Sequence, residues 1–201
     1  MQLLLCHRED DDDLGDAWKT AFGHAPNVRV VRQDITTVEC DAIVSPANSF
    51  GFMDGGLDEA LSNRFGWDLQ TQVQARIRAR PEGELLIGQA FTQPTGDARV
   101  PWVLVAPTMR VPMSFNIATS VNAYLAMKAI LITAVAEPSI DVVAVPGLCT
   151  GVGRMPPSIA ATQMYAAFDE VMLGKRLQFA GFEDAQNHQV ALNPSGLIWD
   201  F

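Results

Sequence analysis

The sequence predicts an α/β fold, a mainly parallel sheet flanked by helices, on three observations. Short β-branched or apolar runs alternate with segments of helical spacing along the chain, as in strand–helix–strand units. Two strand-to-helix transitions carry glycine, at Gly51–Gly56 and Gly147–Gly153. The 201 residues, with 48% hydrophobic and 18% charged side chains, suit one filled core and leave little for a second sizeable domain.

The elements follow in chain order. Gln2–Cys6 reads as a first strand, and Leu14–Phe22 as a helix with Gly23 at its exit. Val28–Arg32 is a β-branched run, followed by the loop Gln33–Val38. Asp41–Ser45 is a short strand bounded by Pro46, after which Leu57–Phe65 and Leu69–Ala79 carry helical spacing. Leu85–Phe91 and Trp102–Ala106 read as strands, separated by the turn-rich link Gln93–Asp97. Ile117–Val135 is the longest helical segment, and its small and apolar residues predict burial on more than one face. Val142–Val145 is a strand ending at Pro146. Pro157 opens a helix at the position where a missing N–H costs nothing. Leu177–Phe182 reads as a last strand, and the tail from Glu183 to Phe201 carries no clear signal.

Composition narrows the function. Net charge is −9, with 23 acidic against 14 basic residues, a balance that repels nucleic-acid backbones. A phosphorylated ligand would have to be held mainly by backbone amides. The acid run Glu9–Asp13 reads as a solvated loop or helix start. Cys6, Cys40 and Cys149 are too few and too irregular for a disulfide framework or a metal-ligand pattern. His7, His24 and His188 stand beside no candidate nucleophile in sequence, so neither a metal nor a Ser/Cys–His triad is expected, and no cofactor is implied. No stretch approaches the roughly 20 apolar residues of a membrane span. Met1–Leu5 is too short for a secretory signal, so a cytoplasmic address is expected. Nothing in the sequence speaks to oligomeric state.

The first glycine loop runs from Ser49 to Asp58 and contains Gly55 and Gly56. Glycine lets a ligand approach the backbone, and the following helix presents free N–H groups and its positive dipole end. The second loop holds Gly147, Gly151 and Gly153 with Thr150. It matches neither a Gly-Lys-Ser/Thr phosphate loop nor Gly-x-Gly-x-x-Gly, but suits an anion nest. Each loop taken alone also reads as a plain turn. Ligands of open α/β sheets sit at the carboxyl ends of strands, where both loops fall.

Together these segments resemble the macrodomain signature. Gln33-Asp34-Ile35-Thr36 looks like its Gly-Asp-Ile segment, Ser45-Pro46-Ala47-Asn48 its Asn-Ala-Ala-Asn, and Gly55-Gly56-Leu57-Asp58 its poly-Gly loop ending in Val-Asp. Cys149-Thr150-Gly151-Val152 resembles the family's Ser-Thr-Gly-Ile loop. Order and spacing hold over about 28–182 within a single domain of 1–201, and the chain looks like a divergent bacterial or phage-like member.

The resemblance implies a three-layer α/β/α macrodomain with a mixed, mostly parallel central sheet, and ADP-ribose or an ADP-ribosylated molecule as ligand. It also implies roles. Asp34, with Ile35 beside it, would meet the adenine amine. Asn48 would bond the distal ribose. Amides of Gly55, Gly56, Leu57 and Asp58, and of Thr150, Gly151, Val152, Gly153 and Arg154, would cradle the diphosphate, and Gly147 and Cys149 of the same loop are further ligand-binding candidates. Phe182 would pack on adenine or sit in the core. Asn48 and Asp58 would serve hydrolysis of an ADP-ribosyl ester or O-acetyl-ADP-ribose, Asp58 by orienting or deprotonating a water.

Three positions depart from the hydrolytic pattern: Ser45 replaces the first Asn, Ser62 a frequent His, and Gly153 the aromatic that covers the distal ribose. A non-catalytic binding module is therefore the alternative. Arg154 is a candidate diphosphate clamp or a solvent-facing Arg. Thr108 and Arg110 belong to the rim or to a structural turn. Cys149 sits near a helix start, which favours a thiolate, or simply fills its loop.

Overall fold

The computed structural model describes residues 1–113 and 117–194. Six strands form one sheet: β1 (Gln2–His7), β2 (Val28–Arg32), β3 (Ala42–Ser45), β4 (Phe91–Asp97), β5 (Val100–Val105) and β6 (Val142–Val145). Their order is β2-β1-β6-β3-β5-β4, and only the β4–β5 pair is antiparallel. The helices are α1 (Asp12–Phe22), α2 (Gly56–Phe65), α3 (Asp68–Arg78), α4 (Asn122–Ala136), α5 (Pro157–Val171) and α6 (Phe182–Leu192). A one-turn 3-10 helix spans Ile35–Thr37.

The period of two along each strand explains the layers. Leu3, Leu5, Ala42, Val44, Leu104, Val143 and Val145 face one core, shared with α1, α4 and α5. Leu4, Ile43, Val103, Val105 and Ala144 face the other, closed by α2, α3 and the 3-10 turn. This is the three-layer α/β/α arrangement, and its central strands are apolar on both sides because both faces are covered. α4 is buried along most of its circumference: Ala123, Ala126, Met127, Ile130 and Leu131 are inaccessible, while Ile132 and Val135 are exposed.

Two expected elements are absent. The strand expected at Leu85–Phe91 begins only at Phe91, and β4 runs through the supposed turn-rich link to Asp97. Pro94 is tolerated because β4 is an edge strand, and the register breaks between Pro94 and Asp97. The segment read as a last strand, Leu177–Phe182, forms no strand. Instead Phe182 opens α6, with Glu183 and Asp184 in its first turn, where carboxylates suit the helix dipole. The tail from Glu183 thus contains a helix, and its end at 195–201 lies outside the described residues.

The packing of α4 sets a test. Met127→Ala removes a side chain with no solvent exposure and is expected to lower stability by about 2–5 kcal/mol. Ile132→Ala, on the exposed strip, is expected to stay within about 0.5 kcal/mol of the parent. Urea unfolding of both variants checks this, and equal losses would contradict the placement of α4.

Candidate ligand cleft

β3 and β6 are neighbours and parallel, so their carboxyl ends, Ser45 and Val145, lie side by side. From there the chain departs to opposite faces, into α2 after β3 and into α5 after β6. That divergence opens a crevice outside the carboxyl ends of the two strands, and both glycine loops border it. The acid run follows β1 at the same edge, with Asp12 and Asp13 in the first turn of α1. Arg8 pairs with Asp10 at 3.2 Å and Arg32 with Asp12 at 3.3 Å.

The second loop is an unusual stretch of backbone. Among the described residues, no amide from Gly147 to Gly153 donates to another protein group. The loop closes on itself downstream: Arg154 N–H donates to Gly151 O at 3.0 Å, and Met155 N–H to Cys149 O at 3.0 Å. The Arg154 amide is therefore engaged and leaves the expected cradle, although its exposed guanidinium pairs with no carboxylate among the described residues. Cys149 and Arg154 hold positive φ of 67° and 52°. Such angles are uncommon outside glycine and here turn the loop tightly. Burial pushes the Cys149 thiol up to about 12, which favours the loop-filling reading over the thiolate.

Gly153 admits no side chain. A Cβ there would lie 2.6 Å from Cys149 O and 2.9 Å from the Ile117 side chain. Ile117 occupies that space, and its N–H donates to Gly153 O at 3.1 Å. The absent aromatic leaves no gap at this point.

In the first loop, the amides of Gly55, Gly56, Leu57 and Asp58 open α2 without protein acceptors among the described residues. Gly56 has φ +60°, and a Cβ at Gly55 or Gly56 would meet nothing within 4 Å, so this face is open to a ligand. Asp58 is buried, and its Oδ1 accepts from Ser45 Oγ at 2.6 Å. Desolvation pushes the Asp58 carboxyl up to about 6, with the Ser45 hydroxyl opposing the rise. Ser45 is thus a partner of Asp58.

Asn48 is turned into its own loop. Its Nδ2 donates to Phe52 O at 2.7 Å, and its Oδ1 accepts from the N–H groups of Phe50 (3.1 Å) and Phe52 (3.2 Å). Two further side chains fix Met53: Ser62 Oγ donates to Met53 O at 2.9 Å, and Gln70 Oε1 accepts from Met53 N–H at 2.6 Å. Phe52 itself remains exposed, as does Val152 on the second loop.

Asp34 lies after β2 on the same edge and caps the 3-10 turn through Oδ1, accepting from Thr36 N–H at 2.8 Å and Thr36 Oγ1 at 2.7 Å. These bonds hold its carboxyl below the usual range. Ile35 is buried in the core beside α2, so only its backbone can face a ligand. Phe182 is 79% exposed, at the first position of α6. The other end, at Leu192 and Asn193, docks against the start of α4, about 15 Å along the helix. A core role does not fit Phe182.

Thr108 and Arg110 hold the β5 exit beside the first loop. Thr108 N–H donates to Ala47 O at 3.0 Å, Ser49 N–H to Arg110 O at 3.1 Å, and Arg110 Nε pairs with Glu84 at 2.7 Å. Gln70, Asn122, Gln163 and Asn193 escaped sequence reading because each acts across elements far apart in the chain. Two surface depressions have other linings, one of Glu39, Cys40, Asp41, Arg99 and Val142, the other of Glu9–Asp13. No group of three or more His, Cys, Asp or Glu among the described residues is placed to hold a metal ion. No helix there is long and apolar enough to cross a membrane.

Amides without protein acceptors among the described residues thus lie at the carboxyl ends of two adjacent central strands, where open α/β sheets place their ligands. Residues 44–164 match the Macro domain family. An uncharacterised protein of Aquifex aeolicus (strain VF5) is 33% identical over 138 residues, 69% of this chain and 78% of the relative. The O-acetyl-ADP-ribose deacetylase of Enterobacter sp. (strain 638) is 30% identical over 183 residues, 87% of this chain and 98% of the relative. An Oceanobacillus iheyensis macrodomain with ADP has the same fold, at TM-score 0.58 and 20% identity, over 80% of this chain and 86% of that one. The chain belongs to the Macro domain family.

The raised pKa of Asp58 is also a statement about stability. Because the folded chain binds this proton more tightly than the unfolded chain, the associated stability is complete below about pH 4 and is lost as pH rises through 6. Asp58→Asn, neutral throughout, is expected to gain on the parent between pH 4 and pH 7, by up to about 3 kcal/mol. Denaturant unfolding at both pH values checks this. A difference independent of pH would show that the carboxyl is not desolvated.

Proposed function

We propose that this macrodomain binds ADP-ribose, or a molecule bearing it, with the diphosphate between the two glycine loops, and hydrolyses an ADP-ribosyl ester or O-acetyl-ADP-ribose. The observation that carries the binding reading is the run of amides from Gly147 to Gly153 and those of Gly55–Asp58, after adjacent parallel strands and with no protein acceptor among the described residues. Such amides bind phosphate oxygens without lysine, which suits a chain of net charge −9. Asp34 would meet the adenine amine through its Oδ2, since Oδ1 is taken by Thr36. Likeness to the Enterobacter O-acetyl-ADP-ribose deacetylase supports the substrate class.

For an ADP-ribosyl ester, Asp58 is the base in the hydrolytic step. Above its pKa of about 6 the carboxylate takes a proton from a water whose oxygen bonds to the anomeric carbon of the distal ribose. The C–O bond to the carboxylate acceptor breaks, and the acceptor leaves with the electron pair. Ser45 holds Oδ1 at 2.6 Å, so Oδ2 is the oxygen free to act. Phe52 is exposed on the same loop, on a backbone pinned by Asn48.

One observation favours the second reading, a non-catalytic ADP-ribose binder: the Asn48 amide is committed to Phe50 and Phe52. Calorimetry and turnover separate the two. Wild type is expected to bind ADP-ribose and to release it from a glutamate ester, with kcat/KM rising through about pH 6. Asp58→Ala is expected to keep binding and to lose turnover by roughly 100-fold or more. Binding with no turnover above background leaves the binder, and no binding at millimolar ADP-ribose refutes both. Arg154→Ala separately tests the guanidinium: an unchanged dissociation constant removes it from the diphosphate site.

A further inference from the structure

The helix that follows the family-matched region has a connection to the cleft. α6 ends at Leu192, buried in the core beside α4, and Asn193, 2% exposed. Asn193 Nδ2 donates to Ala118 O at 2.6 Å and to Ser120 O at 2.9 Å. These carbonyls belong to the turn before α4, which Ser120 ties back to Ile117 O through its N–H (2.9 Å) and its Oγ (2.7 Å). The first residue of that turn is Ile117, which donates to Gly153 O and fills the space above Gly153. A continuous path therefore runs from α6 through the Ile117–Ser120 turn to the run of unengaged amides. Gln163 Nε2 also donates to Ser120 O, at 2.9 Å, and anchors the turn to α5 independently of α6.

We propose that α6 is a strut for the second glycine loop, with Asn193 as a positioning residue for diphosphate binding. Seven consecutive amides with no protein acceptor among the described residues have little to hold them in one arrangement, so their geometry depends on what fixes the loop's ends. Met155 and Arg154 fix the downstream side from within the loop. The Gly153 carbonyl is fixed from outside, by Ile117, and Asn193 sets where Ile117 sits. The role is that of a supporting group whose loss shifts a site it does not touch. This proposal rests on the diphosphate reading of the cleft.

Asn193→Ala and Asn193→Asp test it in the full chain, the second retaining size while replacing the donor with an acceptor. Both are expected to weaken ADP-ribose and ADP binding by roughly tenfold, the size of one net hydrogen bond, while adenosine, which lacks phosphate, binds as in wild type. Without ligand, amide exchange at Ile117, Arg154 and Met155 is expected to accelerate, with exchange in β1 and β6 unchanged. Equal losses for ADP-ribose and adenosine would mark general destabilisation and overturn the proposal, as would unaltered exchange at those three amides. A wild type that binds neither ADP-ribose nor ADP overturns the functional reading, and the exchange measurement then still decides whether the strut exists.

Discussion

The pairing of β3 with β6 is the constraint on which the rest depends. Their register, Ala42 beside Val143 and Ile43 beside Ala144, joins segments a hundred residues apart. It is reinforced where Asp41 Oδ2 accepts from the N–H groups of Asp141 and Val142 at 2.8 and 2.7 Å. With the strands parallel and the following helices on opposite faces, the two glycine loops have one place to be. A sheet ordered differently would scatter them, and the proposed diphosphate site needs both.

Electrostatics then follows from backbone and burial. The chain carries an excess of acid, and a row of it lies at the same sheet edge after β1. On the proposed reading, attraction for phosphate is local, from dipoles held by turns; of the first loop's carboxylates Asp54 is exposed and Asp58 is withdrawn from solvent. Asp58 is kept in play by the Ser45 hydroxyl, which donates and carries no charge. An amide at 45 would also donate. The hydroxyl does it with fewer atoms, in a position with no solvent exposure.

Much of this was legible in the sequence because it depends on local pattern. β-branched runs and glycine punctuation gave β1, β2, β3, β5 and β6, and motif order gave both loops. What failed was set by tertiary context. Pro94 and Gly96 look like a turn until the strand is known to be at an edge. The apolar run at 177–182 looks like a strand, but no sheet edge is offered to it. The roles of Asn48, Ser45 and Gln70 are matters of a few ångströms, which spacing cannot express. The Gly153 departure was visible as a missing aromatic, whereas its compensation by Ile117 was not, since thirty-five residues and a helix separate the two positions.

That contact links two sites in the history of the chain. A bulky residue at 153 cannot be accepted while Ile117 is present, and a smaller residue at 117 leaves Gly153 without its cover. Each change is unfavourable alone, and trimming Ile117 still leaves the Cys149 carbonyl 2.6 Å from any Cβ at 153, so an aromatic loop requires the loop backbone to move as well as the side chain at 117. Grafting a relative's loop sequence onto this scaffold carries the same condition: the graft must include the turn before α4.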